Sequence, residues 1–259
     1  MDLTLIRRQL FTYLPAPTES YSGKTIIVTG SNVGLGKEAA KHYARLGAET
    51  VIIAVRSPSR ERRGRKNAGI GTATFRLVEG YESTITVNVI STFLLLFLCL
   101  LKLKDTGQRH NIRPTVTIIL EALSDPSRAK MATRYPTSKL LEIFCVRAFA
   151  ESHPADKYPV TVNGVCPGFC HSELAREFRG GWKLYIIKLL LARSTELVSR
   201  GLLYATQYGP ESHGRWVYDN TIHAPGEFVT TPEGQKVEKR FWNELLERLE
   251  EISPGVMQN

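Results

Sequence analysis

Cysteine is scarce: Cys99, Cys145, Cys166 and Cys170 are the only four, they lie in apolar or strand-like contexts, and their spacing forms no disulfide framework. A small secreted scaffold held by cross-links is thereby excluded, and a reducing, cytoplasmic setting is expected. The six histidines, His42, His110, His153, His171, His213 and His223, are dispersed, with neither a nucleophile elbow nor a helix-borne metal pair, so hydrolase readings lack their residues. Cys166-Pro-Gly-Phe-Cys170-His171 has the wrong spacing for haem attachment and no second ligand cluster, and no metal is expected. Long apolar runs are missing too. The most apolar stretch, Phe93 to Leu101, is far shorter than the roughly 20 residues that cross a bilayer and runs straight into Lys102 and Lys104, so it reads as a buried helix and no membrane span is expected. Met1 to Pro17 has Arg7 and Arg8 with no long apolar core behind them, and reads as part of an arm over 1–22 packing on the domain rather than a signal peptide. Repeats and low-complexity linkers are lacking.

What is present is an ordinary globular balance, 42% hydrophobic and 23% charged over 259 residues, enough for a single α/β domain spanning 1–259 with a sizeable core. Much of the +9 formal charge sits in one run, Arg60, Arg62, Arg63, Arg65 and Lys66. No aromatic platform accompanies it, so a surface excess is favoured over a nucleic-acid site.

The hydrophobic pattern alternates between strand and helix. Lys24 to Thr29 is a short β-branched strand ending at Gly30, a helical period runs from Gly34 to about Leu46, and Thr50 to Val55 is a second strand. This βαβ unit predicts a right-handed crossover and a doubly wound, Rossmann-type parallel sheet. Further on, helices are predicted over Glu82 to Leu103, Met131 to Glu151, Trp182 to Leu191, Thr195 to Thr206 and Gln235 to Glu251. Strands are predicted over Thr115 to Leu120, Val160 to Val165 and Arg215 to Tyr218.

The turn Thr29-Gly30-Ser31-Asn32-Val33-Gly34-Leu35-Gly36 has glycines where the chain must reverse, where backbone must approach a pyrophosphate, and where the helix must pack closely. The helix N-terminus then faces the phosphate charge, and Gly30, Ser31, Asn32, Gly34, Leu35 and Gly36 are the candidate cofactor contacts. About twenty residues beyond the last glycine, where an acidic residue would take the ribose hydroxyls of NAD, stands Arg56. A cation there suits a 2′-phosphate and favours NADP(H); the bland alternative is a solvated strand-end charge.

Tyr135-Pro-Thr-Ser-Lys139 puts a tyrosine and a lysine four apart near a helix start, so both emerge on one face a turn apart. A nearby positive charge lowers a phenol's pKa, which makes Tyr135 a candidate general acid for carbonyl reduction or base for alcohol oxidation. The order glycine turn, Asn67-Ala68-Gly69, Asn88, Tyr135 with Lys139, and Pro167-Gly168, over roughly Lys24 to Trp242, resembles the short-chain dehydrogenase/reductase family. Asn67 to Phe97 and Pro159 to Ala175 look most like its retinol-dehydrogenase-like branch, common in filamentous fungi. The resemblance implies that Tyr135 exchanges the proton, that Lys139 contacts the nicotinamide ribose and tunes the tyrosine, and that Asn88 supports a proton-relay water. It implies further that Asn67 and Gly69 border the adenosine side of the cofactor, while Pro167, Gly168 and the candidate hydroxyl of Ser172 meet its nicotinamide end. Residues from about 173 to 193 would form the substrate lid, where Trp182, Leu184, Tyr185, Ile186 and Ile187 suggest an apolar substrate or, equally, core packing. The expected reaction interconverts a carbonyl and an alcohol on an apolar small molecule in fungal secondary metabolism. In relatives the helix over Glu82 to Leu103 lies at a dimer interface, so a homodimer is expected.

Two departures from the family pattern stand out. Only eleven residues separate Val55 from Asn67, where a helix, strand, helix and strand would need roughly 35. The lost fourth strand normally lies against the first, so a central edge is left open. After Thr115 to Leu120, Leu120-Glu121-Ala122-Leu123 replaces the segment whose serine holds the substrate oxygen. Ser124, eleven positions before Tyr135, and Ser127 are poor substitutes. A noncatalytic relic acting as an interaction partner is therefore the competing reading.

Overall fold

The computed structural model describes residues 3–55, 75–119, 134–171 and 189–258. Strands β1 (Thr25–Thr29) and β2 (Thr50–Ala54) pair in parallel, Thr25 opposite Thr50 and Thr29 opposite Ala54. Helix α2 (Gly34–Arg45) connects them. It stops where the Gly47 N–H reaches the Ala44 carbonyl, with Gly47 at φ +80°, a left-handed position that glycine adopts without steric cost. A hairpin follows, β3 (Leu77–Val78) with β4 (Tyr81–Glu82), turning through Glu79 and Gly80, both at positive φ.

Helix α3 (Ser83–His110) is 28 residues long. Its first turn is capped by the Glu82 carboxylate, which accepts from the Thr84 and Ile85 amides. It continues past the expected end at Leu103, through Gly107: Asp105 bridges Lys102 and Arg109, and the chain leaves the helix only at left-handed Asn111, ahead of Pro114. By length and composition alone α3 could cross a membrane, yet Phe93, Leu96, Phe97 and Leu100 lie at the centre of the protein core, which makes it a core helix. Thr86–Ile90 forms a π-turn within it, and Asn88 occupies that turn.

The second sheet runs β5 (Thr115–Ile119), β6 (Thr161–Cys166), β7 (Trp216–Tyr218) and β8 (Thr221–His223) in that order. The first three are parallel, and β8 turns back through Asp219 and Asn220, both left-handed. Helix α4 (Arg134–Ser152) joins β5 to β6, α5 (Thr195–Gln207) precedes β7, and α6 (Pro232–Ile252) closes the fold. Helix α1 (Leu3–Phe11) forms the N-terminal arm.

Strand β6 lies between two cores. Val162 faces a cluster of Phe93, Phe97, Phe144, Phe149, Trp242 and Leu249 from α3, α4 and α6. Val165 faces a smaller one in which Val28 of β1 meets Ala39, Ala40 and Tyr43 of α2 and Leu202 and Leu203 of α5. Helices therefore cover both faces, as a doubly wound sheet requires. Among the described residues, however, β1–β2 and β5–β8 share no ladder. On the face away from α2, Ile27 and its register partner Ile52 are exposed. This is the shortened, interrupted sheet anticipated from the brief passage between Val55 and Asn67.

Two histidines tie the far end of this layer. His213 Nδ1 accepts from the Val162 amide at 3.0 Å while its Nε2 donates to the His153 carbonyl at 2.9 Å, and His153 stacks on Phe149. Burial, the largest cause in each case, lowers both imidazoles from the ordinary 6.5. With folded-state pKa values below the unfolded one, the unfolded chain binds more protons as pH falls through 6.5. Stability contributed by these groups is thus complete above that pH and declines below it. Urea-unfolding midpoints should drop between pH 7.5 and 5.5, and should drop less in His213→Gln; an equal slope in both proteins would refute the assignment.

Candidate active site

The glycine turn has the backbone that the expected cofactor contact demands. Gly30 and Gly34 lie at φ +62° and +59°, where a side chain would be strained. A Cβ on Gly36 would sit 2.8 Å from the Gly30 carbonyl oxygen, so the close seat of α2 on the turn requires glycine there. Ser31 is buried, its hydroxyl donating to the Val28 carbonyl at 2.8 Å, and Leu35 is half-buried behind it. Two features fit a dinucleotide. Helix α2 has Val33 at its N-cap without a side-chain cap bond and has no acidic residue in its first turn, so neither answers its N–H groups and positive dipole end. Among the described residues the buried Asn32 Oδ1 has no partner, and as an acceptor it suits a ribose hydroxyl rather than a phosphate oxygen. These residues fit a nicotinamide dinucleotide.

The tyrosine and lysine are brought together by the first turns of α4. Lys139 Nζ lies 5.7 Å from the centroid of the half-buried Tyr135 ring. It donates to the carbonyl of Ile119, the last residue of β5, at 3.2 Å. The Asn88 carboxamide, fully buried in the π-turn of α3, donates to Ser138 Oγ at 2.9 Å, and that hydroxyl donates to the Tyr135 carbonyl at 2.7 Å. Asn88 thus ties α3 directly to the turn bearing Tyr135, a contact beyond the water-relay role the family resemblance implies.

Sequence reasoning missed Glu142. Its carboxylate, buried, accepts from Lys139 Nζ at 2.8 and 3.1 Å. The signal was available, since lysine and glutamate three apart on a helix are neighbours. The pairing offsets part of the charge that Lys139 presents to Tyr135.

Pro167 and Gly168 follow β6 directly, and Gly168 at φ +71° packs against Gln9 and Tyr218. The glycine turn, the Lys139 contact and Pro167-Gly168 each stand at the C-terminal end of a parallel strand, where open α/β sheets bind ligands. Arg56, Asn67, Gly69, Ser124, Ser127 and Ser172 lie outside the described residues, as do Trp182 to Ile187 of the expected lid.

No family model matches the chain. Its sequence is 41% identical over 320 residues to the short chain dehydrogenase/reductase dmxR8 of Cryptosporiopsis sp., covering 97% of this chain and 98% of that protein. The chain belongs to the short-chain dehydrogenase/reductase family. The short-chain dehydrogenase anuD of Penicillium roqueforti is 32% identical, with 98% of this chain and 84% of that one covered. Among solved structures, the NADPH-bound carbonyl reductase from chicken fatty liver superposes with a TM-score of 0.57 at 14% identity over 80% of this chain and 99% of that one, a likeness of fold. These fungal short-chain dehydrogenases support an oxidoreductase with a nicotinamide cofactor and a small-molecule substrate. The 320 aligned positions outnumber the 259 residues here, so dmxR8 has stretches without counterpart in this member of the family.

Removing the Glu142 carboxylate strands the Lys139 ammonium in the interior. Glu142→Ala should cost about 3–5 kcal/mol in denaturant unfolding; an unchanged midpoint would mean that the ammonium is already hydrated.

Proposed function

We propose that this chain is an NADP(H)-dependent reductase or dehydrogenase that interconverts a carbonyl and an alcohol on an apolar small molecule of fungal secondary metabolism. The observation that carries the reading is the Lys139 ammonium seated beside the Tyr135 ring at the C-terminal end of β5. The nicotinamide, when bound, supplies or accepts the hydride. Gly30, Ser31, Asn32, Gly34, Leu35 and Gly36 would hold the pyrophosphate, with Pro167, Gly168 and Ser172 at the nicotinamide end and Asn67 and Gly69 near the adenosine. Arg56 follows the β2 segment, and its guanidinium suits a 2′-phosphate.

In reduction, the Tyr135 hydroxyl gives its proton to the substrate oxygen as negative charge develops there, and Lys139 favours the phenolate left behind. In oxidation the same phenolate takes the alcohol proton. Asn88, through Ser138, holds the turn that aims the phenol. Exposed Leu95, Leu98 and Leu101 along one side of α3 support a homodimer, and buried free Cys145, Cys166 and Cys170 suit a cytoplasmic setting. The noncatalytic relic is not favoured, since relatives named as dehydrogenases align with nearly the whole chain.

Tyr135→Phe should lower NADPH oxidation on a panel of apolar aryl ketones by about 10²–10⁴-fold, the usual share of a general acid, with NADPH affinity retained. Equal turnover in the two proteins would overturn the proton-transfer role. Arg56→Asp should weaken NADPH relative to NADH about 10–100-fold, the worth of a charged hydrogen bond. Titration calorimetry with both coenzymes checks this, and an unaltered ratio would remove Arg56 from the site.

A further inference from the structure

The loop that leaves β6 is held from outside the sheet. The Phe169 carbonyl accepts from the Gln9 carboxamide of α1 and from the Arg193 amide at 3.0 Å. The Gln9 side chain is buried on Gly168, with Oε1 3.4 Å from where a Cβ would stand. Arg193 then fixes α1 itself. Its guanidinium, buried, donates to the Arg8 carbonyl at 2.7 Å and the Gln9 carbonyl at 3.1 Å, and pairs with Asp219 Oδ1 at 2.8 Å. A cation on the last-turn carbonyls of a helix meets the negative end of the dipole, and here it adds to the Thr12 amide, from which the Arg8 carbonyl also accepts. Asp219 in turn faces Arg8 Nε at 3.3 Å, so both charges of the buried pair are answered. The strand-like contact of Cys170 with Arg193, with the His171 amide bonded to the Arg193 carbonyl at 3.0 Å, closes the arrangement.

We infer that Gln9 is a positioning residue for the coenzyme: the Arg193–Asp219 pair clamps α1 so that Gln9 fixes the backbone of Gly168–His171 before the nicotinamide end arrives. The inference rests on the reading that Pro167-Gly168 borders that end. A loop ordered beforehand does not have to be ordered at binding, and affinity rises accordingly.

The test uses the full chain in three variants. Gln9→Ala and Gln9→Met both remove the donor to the Phe169 carbonyl, the second while keeping the volume; Arg7→Ala, exposed on the same helix, is the control. Hydrogen exchange at the Phe169, Cys170 and His171 amides should quicken in both Gln9 variants and not in the control. NADPH affinity should fall about three- to tenfold, the effect of one hydrogen bond. Loop exchange equal to wild type, faster loop exchange with unchanged affinity, or uniform acceleration across β5–β8 would each overturn the inference. Wild-type protein that binds neither NADPH nor NADH would instead sink the coenzyme reading, and loop exchange would then decide the placement of Gln9 separately.

Discussion

Helix α2 packs against α5, and because no strand ladder joins β1–β2 to β5–β8 among the described residues, that contact sets where the glycine turn stands relative to the rest of the site. Small side chains at Ala39 and Ala40 let α2 approach closely. Apolar contact is not directional, so polar ties supply the register that hydrogen-bonded strands would otherwise give. Tyr21 donates to the Leu203 carbonyl at 3.2 Å and bonds Thr206 Oγ1 at 2.9 Å, Tyr43 bonds the same hydroxyl at 3.2 Å, and the two rings meet edge to face at 4.9 Å. Burial raises both phenols above their ordinary pKa, so they stay neutral donors at any working pH.

The other half of the site is built inside the larger core. Helix α4 buries Ser138, Lys139 and Glu142 alongside Phe144 and Phe149, so it meets protein around most of its circumference. Polar groups taken out of water there cost free energy unless each finds a partner. Ser138 finds Asn88 and the Tyr135 carbonyl, and Lys139 finds Glu142 and the Ile119 carbonyl. The same bonds that offset desolvation also fix the orientation of the first turn of α4, and hence of the phenol. Placing Asn88 in a π-turn shifts the side chains of α3 relative to a regular helix, and there its carboxamide meets Ser138.

The arm, the loop after β6 and the β7–β8 turn form a third assembly, in which one arginine serves three elements, the arm and the turn by its guanidinium and the loop by its backbone. Arg193 reaches α1 carbonyls and Asp219 at once, a use of its planar, five-donor head that lysine could not reproduce. Turn chemistry prepares it: Asp219 and Asn220 both take left-handed conformations, which their short polar side chains tolerate.

Local chemistry was legible in the residues themselves. Strand, glycine turn and helix at 24–46 followed from β-branching and from glycine's access to positive φ, and Tyr135 with Lys139 shared a face because helical period puts residues four apart together. Even the interrupted sheet could be read, from too few residues between Val55 and Asn67 to build the missing strands. Contacts between residues distant in the chain could not. Asn88 with Ser138, Gln9 with Phe169, and Arg193 with Asp219 are set by how layers stack and how the arm returns, and a one-dimensional pattern records which side chains can bond but not which ones meet. The sequence by itself thus determined the type of fold and the candidate reacting groups; packing alone decided what holds those groups still, because a hydrogen bond forms only where the fold brings donor and acceptor within about 3 Å.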